Sequence, residues 1–130
     1  DGDESCLALL EDNVNLNRQS FTARKVSVQR LYWGEGLSGM KRYDYIIAAD
    51  IVYLQDFHAA ILKTLRRLLK PSGLVLLFAS PRNGSLEAFT LAASGVFDRV
   101  DTVRDYDRDA EKALRGMRCF PLMVRMHWAV

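Results

Sequence analysis

The feature that most constrains the fold is an almost unbroken apolar run from Tyr43 to Val52, which reads Tyr-Asp-Tyr-Ile-Ile-Ala-Ala-Asp-Ile-Val. Runs that are apolar at successive positions are typical of strands in the centre of a parallel sheet, where both faces are covered. A second such run extends from Leu74 to Ala79. The two runs therefore predict two buried strands.

An amphipathic helix is predicted between these strands. Its apolar residues recur at helical spacing: Phe57, Ile61, Leu62, Leu65, Leu68 and Leu69. Pro71-Ser72-Gly73 then predicts the end of the helix and a tight turn. Two strands joined through a helix pair in parallel, so this part of the chain predicts a strand–helix–strand unit.

Further patterns continue the alternation on both sides of this unit. We predict a helix over about residues 4–17, a half-exposed strand over Ala23 to Leu31, a helix over Ser85 to Ser94, and strands over Val96 to Tyr106 and Phe120 to Trp128. The charged stretch Arg104 to Arg118 predicts a solvated loop or a short helix. Because no strong helical pattern joins the last two strands, we predict an α/β fold with helices on both faces of the sheet and an antiparallel last strand.

Composition restricts the partners and the compartment. The 130 residues include 18 basic and 16 acidic ones, scattered along the chain, so no basic stripe predicts nucleic-acid binding. No apolar run approaches the length of a membrane span. Cys6 and Cys119 fit neither a zinc spacing nor a disulfide framework. We expect a single domain over residues 1–130, located in the cytoplasm or also in the nucleus, with no membrane partner.

The ends of the strands are the places to look for a binding site, because ligands of open α/β sheets bind at the carboxyl ends of the strands. One candidate is Asp1-Gly2-Asp3-Glu4, ahead of the first helix, where a carboxylate can bind the hydroxyls of a ribose. The alternative is that Asp3 caps that helix and Glu4 compensates its dipole.

Two further candidates follow predicted strands. Trp33, ahead of Gly34, offers an indole that can stack against a purine, although a tryptophan is more often simply a core residue. Ala49, Asp50 and Tyr53 combine a small residue, an acid and a phenol at the end of an apolar run. Such an acid needs either a partner or a functional role.

Other polar residues carry weaker signals. His58 and His127 form no metal or hydrolase motif, so we interpret both as structural and predict no metal site. The basic residues of the central helix predict a solvated face or, alternatively, a patch that binds a partner: Lys63, Arg66, Arg67 and Lys70.

These motifs together resemble a known family. An acidic turn is followed in order by Asn13-Val14 with Asn17, Trp33-Gly34, Tyr43-Asp44 with Ala49-Asp50 and Tyr53, and Lys70-Pro71 with Gly73. This order is similar to that of the seven-β-strand protein-lysine methyltransferases of methyltransferase family 16. The later Pro81-Arg82, Tyr106-Asp107 and Pro121-Leu122 are similar to the members of that family that act on calmodulin.

The resemblance implies a Rossmann-like class I methyltransferase sheet, the cofactor S-adenosylmethionine and a protein substrate that carries the target lysine. By the same resemblance, Asp1 holds the cofactor ribose, Trp33 lines the adenine pocket and Ala49 contacts the cofactor through its backbone. Asp50 and Tyr53 face the incoming lysine as the catalytic pair. The motif that base-methylating relatives carry after this strand has prolines, which Asp50-Ile51-Val52-Tyr53 lacks.

One element of the family pattern is missing. The family's first strand and its glycine-rich cofactor loop precede the acidic turn, whereas this chain begins at Asp1. We therefore expect a truncated domain that lacks its first strand and is inactive by itself. It is interpreted as a part of a longer enzyme, as a fragment that binds its missing half in trans, or as an inactive domain that binds other proteins.

Overall fold

The computed structural model describes residues 3–114 and 120–129 and shows an α/β fold. The helices are α1 (Glu4–Leu16), α2 (His58–Leu68), α3 (Ser85–Ala93) and α4 (Arg108–Leu114). The strands are β1 (Tyr43–Ala49), β2 (Leu69–Ala79), β3 (Arg99–Val103) and β4 (Leu122–His127). Short 3₁₀ turns lie at Arg18–Ser20 and Gln55–Phe57.

The four strands form one mixed sheet in the order β1-β2-β4-β3. β1 and β2 pair in parallel, with Ile46 opposite Val75 and Ala49 opposite Phe78. β4 pairs antiparallel with both β2 and β3. The α/β fold and the antiparallel last strand are thus as predicted from the sequence.

The core lies between one face of the sheet and two helices. On this face Val75 and Leu77 of β2 lie opposite Met126 and Val124 of β4, and all four side chains are fully buried. They form one cluster with residues of α2 and α3, which include Ile61, Leu65, Leu86 and Phe89. Apolar residues one helical turn apart place one face of each helix on the sheet, which explains the burial.

The opposite face of the sheet is less covered. Tyr45 and Ile47 of β1 are 68% and 72% exposed, and β1 pairs with β2 alone among the described strands. Helix α1 has no buried residue, and its Leu9 and Leu16 are exposed. Among the residues that the structure describes, helices therefore cover one face of the sheet, whereas helices on both faces were predicted. β1 is an edge strand of this sheet instead of a fully buried one.

The strand predicted over Ala23 to Leu31 is wrong, because residues 21–32 contain no regular secondary structure. A strand gains its hydrogen bonds from a neighbour, and no described strand pairs with this segment. Of its alternating apolar residues, Val26 is exposed, and Val28 and Leu31 are only partly buried. Arg30 instead forms an ion pair of 2.6 Å with Glu4 at the start of α1.

Pro71-Ser72-Gly73 ends the helix as predicted but lies inside a strand and does not form a separate turn. β2 begins at Leu69, directly after α2, and its register with β1 shifts between Tyr43 and Tyr45. Such an irregularity accommodates Pro71, which has no amide hydrogen to donate to a ladder. Next to it, Lys70 Nζ lies 2.9 Å from both carboxylate oxygens of Asp44, and its hydrogen bonds hold the pKa of Asp44 below the ordinary value.

A substitution at Gly73 tests this close strand contact. A Cβ atom at Gly73 would lie 2.7 Å from Leu69 Cδ1 and 2.9 Å from the carbonyl oxygen of Asp44 in the neighbouring strand. We expect Gly73→Ala to lower the free energy of unfolding by about 1–3 kcal/mol, measured by urea denaturation. Gly95→Ala is the control, because its Cβ would meet only Ala92 O at 3.4 Å. Equal effects of the two substitutions would contradict this account.

Candidate active site

The chain changes direction sharply where β1 ends. Asp50, the residue after Ala49, has a left-handed backbone conformation with φ of 52°. Its amide donates a hydrogen bond of 2.8 Å to the carbonyl of Phe78 in β2, so the turn is attached to the sheet. A residue other than glycine in this conformation costs about 1–3 kcal/mol, and such positions cluster at functional sites, although Asp adopts it more readily than most residues. The turn at the end of β1 is therefore a candidate functional position.

A cavity of about 340 Å³ opens at this turn. It is lined by Trp33, Asp50, Ile51, Tyr53, Leu54 and Phe57. The structure thus brings together three of the five predicted site residues, namely Trp33, Asp50 and Tyr53. Ala49 is exposed at the adjoining strand end and does not line the cavity. Asp1 lies outside the described residues.

Trp33 is held in place from helix α2. It is partly buried and packs against the core cluster, and it also lines the cavity. The next residue, Gly34, has φ of 75°, and its amide donates a hydrogen bond of 2.7 Å to Thr64 Oγ1. Thr64 Oγ1 in turn donates to the carbonyl of Ala60 at 2.9 Å. Buried Thr64 therefore fixes the turn that carries the indole.

Val52 anchors the segment between Asp50 and Tyr53. Its side chain is 2% exposed, and its carbonyl accepts a hydrogen bond from His58 Nε2 at 2.8 Å and another from the hydroxyl of Ser85. His58 also makes an edge contact with Phe89, with ring centroids 5.2 Å apart. The interpretation of His58 as structural is confirmed. Ser85, the first residue of α3, carried no sequence signal of its own.

An arginine that the sequence analysis did not assign to the site contacts Asp50. Arg82 Nη2 lies 3.0 Å from Asp50 Oδ2, and about half of each side chain is exposed. Arg82 follows β2, and Asp50 follows β1. Because the two strands are parallel, their carboxyl ends lie side by side, and this pairing rule is the signal that could have identified Arg82.

The acidic turn at the beginning of the described chain has a capping role. Asp3 accepts hydrogen bonds from the hydroxyl of Ser5 and from the amides of Ser5 and Cys6, and these bonds hold the pKa of its carboxyl below the ordinary value. This is the N-cap arrangement, so the structural alternative holds for Asp3.

No group of three or more His, Cys, Asp or Glu side chains within residues 3–114 and 120–129 could hold a metal ion. In the same part of the chain, no helix is long and apolar enough to cross a membrane.

Comparison with known proteins identifies relatives. A family model described as lysine methyltransferase matches residues 1–94. Calmodulin-lysine N-methyltransferase of Arabidopsis thaliana is 25% identical over 97% of this chain and 47% of its own length. Protein N-lysine methyltransferase METTL21A of Danio rerio is 34% identical over 82% of this chain and 50% of its own length. The chain thus spans about half the length of these relatives.

Solved structures show the same fold. Precorrin-6y C5,15-methyltransferase of Geobacter metallireducens GS-15 superposes with a TM-score of 0.60, over 98% of this chain and 64% of that one, at 16% identity. A precorrin 8w decarboxylase from Methanobacterium thermoautotrophicum superposes with a TM-score of 0.57 at 18% identity. These identities support the shared fold alone.

The Val52 anchor can be tested by removing one of its donors. We expect Ser85→Ala to lower the free energy of unfolding by about 1 kcal/mol, because a buried hydrogen bond is lost while His58 still satisfies the carbonyl. Ser94→Ala is the matched control, since the Ser94 hydroxyl donates to Thr90 O on the exposed side of α3. Its effect should stay within about 0.5 kcal/mol. Urea denaturation of both variants makes the comparison, and a larger loss in Ser94→Ala would refute the anchor.

Proposed function

We propose that this chain, which belongs to the lysine methyltransferase family, forms part of an enzyme that methylates a lysine side chain of a protein. The observation that supports this function best is the meeting of Trp33, Asp50 and Tyr53 in one cavity at the carboxyl end of a parallel strand. The named relatives act on protein lysines, which supports the substrate class. Because the chain spans about half their length, the activity is assayed on the complete natural protein that contains it.

S-adenosylmethionine is the methyl donor of this family. The residues at the cavity and beside it fit its adenosyl part, because the partly buried Trp33 presents an aromatic wall and Ala49, at the adjoining strand end, has a side chain small enough for a ligand to approach the backbone. Trp33 would hold the adenine, Ala49 would contact the cofactor through its backbone, and Asp1 would hold the ribose. When bound, the cofactor would supply the methyl group, carried on its sulfonium, for transfer to the lysine nitrogen.

The protein's own task is to bring a neutral amine into line. Asp50, the one carboxylate among the cavity-lining residues, would accept hydrogen bonds from the amine and so direct its lone pair. Tyr53 would fix the approach from the other side of the turn. The proton that leaves the nitrogen would pass to solvent or to Asp50. Both residues orient the nucleophile, and no covalent intermediate with the protein is needed.

We further propose calmodulin as the first substrate to assay, because the Arabidopsis relative named for it matches nearly the whole chain. The METTL21A relative has higher identity over a shorter part, so other protein lysines are assayed beside it. We place the reaction in the cytoplasm or the nucleus, where the free and exposed Cys6 would stay reduced.

Cofactor binding tests the role of Trp33. We expect Trp33→Ala to weaken S-adenosylmethionine binding by about 5- to 100-fold, since the stacking of a base on an aromatic ring contributes about 1–3 kcal/mol. Isothermal titration calorimetry measures the affinity. Tyr32→Ala is the control, because Tyr32 is the adjacent aromatic residue, is exposed and does not line the cavity. The absence of binding by the unsubstituted full-length protein would instead favour an inactive domain that binds other proteins.

Methyl transfer tests the catalytic pair. We expect Asp50→Asn to lower kcat/KM for a protein substrate by about 10- to 100-fold, because it replaces a charge-assisted hydrogen bond, while cofactor affinity stays unchanged. Tyr53→Phe should also lower kcat/KM. Asp109→Asn, at a side chain that is 96% exposed on α4, serves as the control. Wild-type kcat/KM in Asp50→Asn would exclude the proposed role of Asp50.

A further inference from the structure

Arg82 lies where it could contact a residue next to the target lysine in a bound protein substrate. Its guanidinium lies 3.0 Å from Asp50, the carboxylate proposed to receive the lysine amine. Asp50 is also the only charged residue among those that line the cavity. An incoming lysine and Arg82 therefore compete for the same carboxylate.

The backbone of Arg82 is fixed although its side chain is half exposed. Its carbonyl accepts a hydrogen bond of 2.8 Å from the amide of Ser85, whose hydroxyl is bound to Val52. The two residues that follow Arg82, Asn83 and Gly84, have φ of 49° and 73° and turn the chain into α3. The guanidinium can thus change partners without a movement of the loop that carries it.

Exchange of partners at this ion pair costs little free energy. Pairs between exposed charges contribute modestly to stability because water solvates both groups. If the lysine amine alone takes Asp50, however, the Arg82 guanidinium loses its carboxylate partner. A substrate that has a carboxylate next to its lysine supplies Arg82 with a new partner, so that the guanidinium is again paired with a carboxylate.

We propose that Arg82 determines specificity by selecting target lysines that have an acidic residue within two positions in the protein substrate. This inference rests on the proposed methyltransferase function. On arrival of the substrate, its lysine replaces Arg82 on Asp50, and its acidic side chain pairs with the guanidinium. A lysine flanked by basic residues meets Arg82 with like charge and is disfavoured.

The test compares peptides that differ in one charge. Synthetic peptides carry a central lysine in Gly/Ser flanks, with Glu, Gln or Lys at one of the two positions on either side. Their kcat/KM values are measured with the full-length protein, and their dissociation constants are measured separately by fluorescence anisotropy. We expect the Glu peptides to exceed the Gln peptides by about threefold to fivefold in both measurements, as an exposed ion pair provides.

Variants of Arg82 assign the preference to this side chain. In Arg82→Gln the ratio of kcat/KM for Glu peptides to that for Gln peptides should fall to about one. In Arg82→Glu the preference should reverse, so that Lys peptides exceed Glu peptides. In Arg82→Lys the preference for Glu peptides should be retained in part. Arg99→Gln removes an arginine of β3 that pairs with Asp101, away from Asp50, and should keep the wild-type ratio.

The outcomes separate this inference from the function on which it rests. Methylation of the peptides with no difference between Glu and Gln, or with a difference that survives in Arg82→Gln, overturns the role of Arg82 alone. If no peptide or protein is methylated but Glu-dependent binding is lost in Arg82→Gln, the recognition by Arg82 stands and the enzymatic function fails.

Discussion

The parallel pairing of β1 with β2 is the constraint on which the candidate site depends. Ala49 lies opposite Phe78 in this register, so the residues that follow the two strands emerge side by side. Asp50 comes from one strand end and Arg82 from the other, and their ion pair joins the two. The two side chains pair across more than 30 positions in sequence. The sheet therefore creates the charge arrangement of the site before any ligand or substrate is considered.

The parts of the fold that sequence analysis predicted well are those in which local pattern and burial agree. Helix α2 carries an apolar face at helical spacing and packs on β2, so periodicity alone located it. The segment from Ala23 to Leu31 alternates like a strand but finds no partner among the described strands, and alternation without a neighbour does not form a sheet. Strand formation depends on residues distant in sequence, which a local pattern does not contain.

The same distinction applies to the candidate site. Trp33, Asp50 and Tyr53 were predicted because each follows a predicted strand and matches the family pattern, and the structure places them around one cavity even though residues 21–32, ahead of Trp33, form no strand. Ser85 and Arg82 were missed because their significance comes from contacts with Val52 and Asp50, more than 30 positions away. The roles of the predicted residues in binding and catalysis remain predictions, since proximity establishes an arrangement and not an activity.

The turn at Asp50 shows how this arrangement is kept rigid at an edge strand. Its left-handed conformation is unfavourable by itself, and exposed Tyr45 and Ile47 show that β1 is not covered on its outer side. The hydrogen bonds that hold the turn in this conformation come from β2 and from the two core helices. The amide of Asp50 donates to β2, and the carbonyl of Val52 accepts from the first residues of α2 and α3. Buried Val52 thus provides the anchorage, and its neighbours Asp50 and Tyr53 remain exposed. The turn is therefore anchored through the well-packed face of the sheet and through β2, while the face of β1 that carries Tyr45 and Ile47 contributes none of these contacts.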